Sequence, residues 1–206
     1  VTRAISETVG FNLVLVSTLD PERETLHHIA QYGMLDDTFT KLSKKAIPWD
    51  KIGRHMDDEY RMSSSYLVIH EKSANLVETL GIPRYAKAFG SDRPGSWQPG
   101  DLLLVPLRST TGEPIGVVSV DQPRDGMIPT RNTVELLEIF CNQAAIVLEN
   151  SRLYQSAEDR AEELTQSLAN LSKSYDELDN LSREMIRKDA ELSHANELLN
   201  QRAQRL

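Results

Sequence analysis

The sequence is short of cysteine and of long apolar segments. Cys141 is the single cysteine among 206 residues, which excludes an intrachain disulfide framework and a cysteine-rich metal site and favours a reducing compartment. No apolar run approaches the roughly 18 residues of a membrane-spanning helix, and no signal peptide is present. We therefore expect a cytoplasmic protein with no membrane span in this segment.

Positive charge is also scarce. The formal net charge is −8, and both the C-terminal segment from Ser151 and the residues before it are acidic. No basic stripe is present, so nucleic acid and anionic membranes are not expected as partners. Because the sequence starts at Val1 and ends inside a helical pattern, we expect a segment of a longer protein, with an output domain beyond Leu206.

Residues that would support catalysis or metal binding are few and scattered. Cys141 lies on the predicted inward stripe of a helix, where a structural thiol is more common than a reactive one. Adjacent His27 and His28 point to opposite faces of a predicted strand and cannot share a metal. A haem held by His55 or His70 is not expected. No glycine-rich phosphate loop is present.

The most informative segment is the C-terminal one, where an apolar residue returns at every seventh place. A repeat sustained over seven heptads predicts a coiled coil, because its seam needs a partner helix. The alternate seam positions are weaker, and Asp189 and Asn196 there would help to fix register. The predicted partner is a second copy of the chain, and the orientation of the two helices stays open. The predicted dimer interface contains Phe140, Val147, Tyr154, Leu164, Leu168, Leu171, Tyr175, Leu178, Met185, Leu192, Leu199 and Leu206.

Apolar runs rich in β-branched residues and leucine, separated by turn residues, predict a sheet in the preceding part of the chain. The predicted strands span residues 11–19, 25–32, 62–70, 101–108 and 114–122. The predicted helices span residues 1–9, 36–46, about 50–60, and 130 onward, with Thr130 as the cap of the last. Pro106 inside a strand indicates an edge position or a bulge. These elements predict an α+β domain with a five- or six-stranded sheet.

Two segments carry a resemblance to a known family. Pro114–Asp121 (PIGVVSVD) and Glu138–Tyr154 (EIFCNQAAIVLENSRLY) resemble the C-terminal half of a GAF domain, particularly those of bacterial and archaeal sensor histidine kinases. The resemblance implies a GAF-like central antiparallel sheet flanked by helices over residues 1–150. A dimeric coiled-coil signalling helix would follow over residues 151–206. It also favours parallel helices in the coil.

The resemblance implies a sensory module of a signal-transduction protein, most simply a histidine kinase of a two-component system. One face of the sheet would hold a small molecule of unknown identity, and no covalent bilin is expected because no cysteine lies near that pocket. Two alternatives stay open, namely a ligand-free structural dimerisation module and a GAF-fold oxidoreductase. The candidate ligand-binding residues, chosen by polarity and position, are Arg61, Tyr66, Trp97, Asp101 and Ser119.

Overall fold

The computed structural model describes residues 1–20, 22–82 and 93–203. Its internal contacts divide the chain into two compact units, Val1–Ser151 and Arg152–Leu206. The first unit contains an antiparallel sheet and the helices that cover it. The second unit is helical.

Seven strands form one antiparallel sheet, in the order β3-β2-β1-β7-β6-β5-β4. The strands are β1 (Phe11–Asp20), β2 (Thr25–Tyr32), β3 (Ile47–Pro48), β4 (Arg61–Met62), β5 (Ser65–Val68), β6 (Leu102–Arg108) and β7 (Pro114–Pro123). The α-helices are α1 (Thr2–Val9), α2 (Asp36–Leu42), α3 (Trp49–Gly53), α4 (His70–Leu80) and α5 (Arg131–Ala203). A short 3-10 helix spans Asp58–Tyr60. The predicted α+β fold with a long C-terminal helix is confirmed.

Alternation along the central strands produces two apolar layers, one on each side of the sheet. We call the side covered by α2, α3 and α4 the inner face. Its layer contains Leu13, Leu15, Leu104 and Val117, packed with buried residues of those helices. The other side, the outer face, packs against α1 and α5. Because successive strand residues point to opposite faces, a strand that is buried on both sides is apolar throughout, and β6 follows this rule from Leu102 to Leu107.

The sheet has more strands than the predicted five or six, for two local reasons. Ile47–Pro48 adds β3 at one edge by pairing with Thr25 and Leu26 of β2. At the other edge, the predicted strand 62–70 is divided into β4 and β5 by a turn in which Ser63 has a φ of 63°. The pairing therefore confirms the two predicted hairpins, β1–β2 and β6–β7, whereas the sheet has seven strands rather than five or six.

The helices between β2 and β6 differ in extent from the prediction. α2 ends at Leu42 rather than residue 46, and α3 covers only Trp49–Gly53. Asp50 lies inside the first turn of α3, whose N-cap is Pro48, so Asp50 does not cap this helix. Asp57 instead accepts a hydrogen bond from the backbone of Asp58 at the start of the 3-10 helix.

Two predictions about local backbone structure, the edge position of Pro106 and the helix cap at Thr130, are confirmed. Pro106 pairs with Val117 of β7, whereas the described pairing of β6 with β5 ends at Leu104. The proline therefore lies where β6 has lost its neighbour on that side, which is where a missing N–H is tolerated. Thr130 caps α5 by accepting a hydrogen bond from the Thr133 amide at 3.3 Å.

α5 begins on the outer face of the sheet. Its predicted inward stripe is confirmed, because Val134, Leu137 and Cys141 are fully buried and Ala144 is nearly so. In the second unit, all described side chains from residue 157 to residue 194 are exposed. Ion pairs spaced four residues apart, including Arg183–Asp179 at 2.8 Å, line this stretch. None of the described helices combines the length and apolar character that crossing a bilayer requires.

Candidate functional site

Three of the five candidate ligand-binding residues, Ser119, Tyr66 and Arg61, lie in one row across neighbouring strands on the inner face of the sheet. Ser119 of β7 is opposite Leu104 of β6, Leu104 is opposite Tyr66 of β5, and Tyr66 is opposite Arg61 of β4. Directly paired residues of antiparallel strands share a face. Adjacent strands are about 4.8 Å apart, so Ser119 and Tyr66 are separated by about 10 Å with Leu104 between them.

Ser119 is the most unusual residue of this row. Its side chain is fully buried, and its hydroxyl has no hydrogen-bond partner within the described ranges. A buried polar group without a partner destabilises a fold by about 1–3 kcal/mol. A ligand that hydrogen-bonds this hydroxyl would offset that cost, and such a contact stays a prediction.

Tyr66 and Arg61 have different surroundings. Tyr66 is buried in the inner apolar layer. Arg61 is exposed, and its guanidinium donates to the Asp58 carboxylate at 3.0 Å and to the Ser63 carbonyl at 3.2 Å. In the structure Arg61 thus holds the edge hairpin together, and contact of either residue with a ligand stays a prediction.

A hydrogen-bonded histidine on the same face was not among the candidate site residues. Ser17 of β1 pairs with His28 of β2, and both side chains are buried. The Nε2 atom of His28 donates to the Leu80 carbonyl at 3.1 Å, so its Nδ1 accepts from the Ser17 hydroxyl at 2.8 Å. Burial is the largest cause that lowers the pKa of His28, which keeps the ring neutral. This bridge fastens the last turn of α4 to the sheet.

Asp101 directly precedes β6 and is not part of the row that contains Ser119 and Tyr66. Its carboxylate is buried and accepts three hydrogen bonds, from the His70 amide at 2.7 Å, from His70 Nδ1 at 3.1 Å and from the Gln98 amide at 2.7 Å. A carboxylate at the first residue of a helix is favoured by the unpaired N–H groups and the helix dipole. Asp101 therefore fixes the start of α4, and a role in ligand contact stays a prediction.

Trp97 is not in the inner layer. It is buried with the outer-face residues, in edge-to-face contact with Phe11 at 6.5 Å between ring centroids. Its Nε1 donates to the Asp121 carboxylate at 2.8 Å. Burial raises the pKa of Asp121 to about 6, although the bond from Trp97 works in the opposite direction.

The segment around Trp97 joins α4 to the residues that precede α5. The Trp97 amide donates to the Gly126 carbonyl at 2.9 Å, and the Ile128 amide donates to the Gly95 carbonyl at 2.8 Å. At its other end, the Ser73 hydroxyl of α4 donates to the Gly100 carbonyl. Residues 95–101 thus connect the helix over the inner face with the residues leading into α5.

Two carboxylates of α5 hold turns of the sheet. Glu138 accepts hydrogen bonds from the Ser63 hydroxyl at 2.9 Å, the Ser64 amide at 2.8 Å and the Ser65 hydroxyl at 2.6 Å. Glu149 accepts two from Thr110, in the turn between β6 and β7, at 3.1 Å from both its amide and its hydroxyl. These hydrogen bonds therefore fix the first five turns of α5 to the β4–β5 hairpin and to the β6–β7 hairpin.

Cys141, His55 and His70 are the remaining candidates for a nucleophile or for a metal or haem ligand. Burial, with a smaller contribution from Glu138, raises the pKa of the Cys141 thiol far above its usual value, so the nucleophilic thiolate is disfavoured. Within the described ranges, no three histidine, cysteine or acidic residues are grouped so as to hold a metal ion. His55 follows the end of α3, and His70 is the first residue of α4, where its Nδ1 atom donates to the Asp101 carboxylate.

Comparisons with known proteins agree with this fold. The model of the family described as GAF domain matches residues 1–148. A GAF domain/HD domain protein from Geobacter sulfurreducens superposes with a TM-score of 0.52, is 15% identical, and the match covers 74% of this chain and 90% of that chain. The GAF domain of an Acinetobacter phosphoenolpyruvate-protein phosphotransferase superposes with a TM-score of 0.50 at 11% identity, covering 74% and 80%. No curated protein matches with significance.

Proposed function

The chain belongs to the GAF domain family, and from that premise we propose that it is the sensory part of a signal-transduction protein. In this proposal a small molecule binds at the inner face of the sheet. α5 carries the resulting change in packing into a coiled coil formed by two copies of the chain. The output domain, most simply a histidine kinase in the cytoplasm, would follow the coil.

The observation that carries the proposal is the double character of α5. Its first turns bury an apolar stripe against the sheet, and the same helix continues with apolar residues at heptad spacing that remain exposed. Leu164, Leu171 and Leu178 are each more than half exposed. A leucine seam of this length gains its stability from burial against a second helix. The predicted interface residues Leu199 and Leu206 have side chains outside the described part of the chain.

A route from the inner face to α5 supports the coupling part of the proposal. Ser119 offers an unpaired hydroxyl on the inner face. Residues 95–101 are bonded to α4 on one side and to residues 126–128 on the other. A ligand that moves α4 by a fraction of an ångström would therefore act on the residues directly before α5. Two states of this packing, close in free energy, would be enough for signalling.

The dimer is tested by sedimentation of matched charge variants. Leu171→Glu combined with Leu178→Glu places two charges in the seam, and Asn170→Glu combined with Asn180→Glu places the same two charges beside it. We expect the unaltered chain and the control to sediment as dimers and the seam variant as single chains. An unaltered chain that sediments as single chains at micromolar concentration would contradict the proposed coil.

The sensory role is tested by native mass spectrometry of freshly purified protein. A retained small molecule that is lost in Ser119→Trp, with the dimer intact, supports binding at the inner face. Persistent dimers that retain nothing, and gain no thermal stability from any fraction of cell extract, would favour the structural dimerisation alternative. The oxidoreductase alternative instead requires fast alkylation of Cys141 in the folded protein, which its burial opposes.

A further inference from the structure

A groove between α3 and α4 is separate from the inner face of the sheet. Its volume is about 420 Å³. On α3, Ile52 is fully buried in the inner apolar layer, whereas Lys51 and the following C-cap residue Arg54 are exposed. The groove therefore opens on the solvent side of these helices. It is lined by Lys51, Arg54, His55, Lys72, Glu78 and Thr79.

The charge of the groove is opposite to that of the chain. The protein carries a net charge of −8, yet three lysine and arginine residues and a histidine line this groove beside one carboxylate, Glu78. Lys51 has no ion pair with any residue in the described ranges. Arg54 is 4.0 Å from the Asp50 carboxylate, and both side chains are more than half exposed, so this pair is weak. Positive charge here is only partly neutralised.

Lys72 is positioned rather than free. Its ammonium group pairs with Glu59 and lies 5.4 Å from the centre of the Tyr60 ring. Tyr60 also contacts the His55 ring, at 6.2 Å between centroids. These contacts hold a lysine and a histidine on one side of the groove. Lys51 of α3 and Arg54, which directly follows it, supply the exposed charges.

His55 adds a hydrogen-bonding group that responds to charge. Burial, and then the positive charge of Arg54, lowers the pKa of His55, so the ring is neutral near pH 7 and has one N–H to donate. The charged groups lining the groove beside it are Lys51, Lys72 and Glu78. An anion bound between Arg54 and His55 would screen Arg54 and favour the protonated ring.

We propose that the α3–α4 groove is a second ligand site, which binds a phosphorylated small molecule. Arginine presents a planar set of donors that matches phosphate oxygens, lysine adds a point charge, and the histidine N–H completes the set. A volume of about 420 Å³ lies within the range of roughly 300–1,000 Å³ of small-molecule sites, so the groove has room for more than the phosphate itself. The site is independent of a ligand at the inner face and of dimerisation.

The experiment follows the titration of His55 by NMR, with inorganic pyrophosphate as the probe. The His55 resonance is assigned by comparison with His55→Gln. We expect pyrophosphate to shift this resonance saturably and to raise the pKa of His55 by at least about half a unit, while succinate at equal ionic strength does not. Lys51→Gln combined with Arg54→Gln should weaken the apparent affinity at least about tenfold.

Lys41→Gln combined with Lys44→Gln is the matched control, because it removes the same charge from exposed lysines outside the groove. It should leave the response to pyrophosphate unchanged. Circular dichroism and the unfolding midpoint establish that each variant is folded. Three results would overturn the proposal: no saturable shift with pyrophosphate, an equal response to succinate, or an equal loss of affinity in the control. None of them bears on the inner face or the coil.

Discussion

Helix α5 is stabilised in two different ways on either side of Ser151. Residues 131–151 bury an apolar stripe against the sheet and are bonded to both hairpins through Glu138 and Glu149. Residues 152–194 are exposed almost throughout and are supported by ion pairs within the helix, each of which contributes about 0.3–0.5 kcal/mol. The difference teaches that one helix can be part of a folded core in one stretch and depend on a partner in the next.

The largest expected effect is the difference between a leucine-to-alanine substitution in residues 131–151 of α5 and one in residues 152–194. Leu137→Ala removes a fully buried side chain and should lower the free energy of unfolding by about 3 kcal/mol. Leu171→Ala, at a side chain 53% exposed in the single chain, should change it by less than about 0.5 kcal/mol in dilute protein. Urea unfolding followed by tryptophan fluorescence measures the first, and circular dichroism the second.

The cost of Leu171→Ala should grow with protein concentration if two copies pair along the seam. Equal costs of the two substitutions in dilute protein would contradict the comparison, since they would mean that residues 152–194 are buried within one chain.

The second effect concerns pH and should be confined to the first unit. The pKa of Asp121 is raised to about 6 in the folded protein, above the value of about 3.9 expected when unfolded. Between these two values the folded state binds more protons, so stability falls as pH rises from about 4 to about 6. The contribution of Asp121 to this fall is on the order of 3 kcal/mol.

Asp121→Asn keeps an acceptor for the Trp97 N–H and removes the titrating group. The variant should therefore lose this part of the pH dependence, measured as the difference between its urea-unfolding midpoints and those of the unaltered protein at each pH. A variant whose pH dependence matches that of the unaltered protein would show that Asp121 does not titrate in this range. The helical signal of residues 152–194 should not follow the same pH profile.

The third effect tests what fixes the first stretch of α5. Glu138→Ala leaves the buried Ser65 hydroxyl and the Ser64 amide without their acceptor and should destabilise the first unit by about 2 kcal/mol. Glu135→Ala, which removes only an exposed pair with Arg131, should have a much smaller effect, because solvent screens such a pair. Hydrogen exchange at Ser64 should accelerate in the first variant alone, and similar exchange rates in both would argue against the role of Glu138.

The sequence predicted the parts of the fold that depend on periodicity. Apolar runs ending at turn residues located β1, β2, β6 and β7, and the spacing of Val134, Leu137 and Cys141 predicted the buried stripe of α5. These signals are strong because burial acts on many residues at once. The region from residue 47 to residue 70 was predicted poorly, since its strands have two to four residues and are fixed by turns and by distant side chains.

The site was predictable only in part, because its contacts join residues far apart in sequence. Polarity made Ser119 and Asp101 candidates but did not predict their contacts. The hydrogen bond between Asp101 and His70 spans 31 positions, and that between His28 and Leu80 spans 52. Trp97 was a candidate ligand-binding residue but lies on the outer face with Phe11, because residues 95–97 pair with residues 126–128. A single sequence carries no local signal for such pairings.

The smallest effect concerns two buried serines of the inner face that differ in one respect. Ser17 donates its hydroxyl to His28, whereas the Ser119 hydroxyl has no partner among the described residues. Ser17→Ala should therefore destabilise the first unit by about 1–2 kcal/mol, because the His28 Nδ1 atom loses its donor. Ser119→Ala removes an unpaired group and should be neutral or stabilising by about 0.5–1 kcal/mol in ligand-free protein.

If a ligand at the inner face contacts this hydroxyl, adding that ligand should raise the unfolding midpoint of the unaltered protein more than that of Ser119→Ala. A ligand-free loss of stability in Ser119→Ala as large as that in Ser17→Ala would mean that the hydroxyl is already paired within the protein.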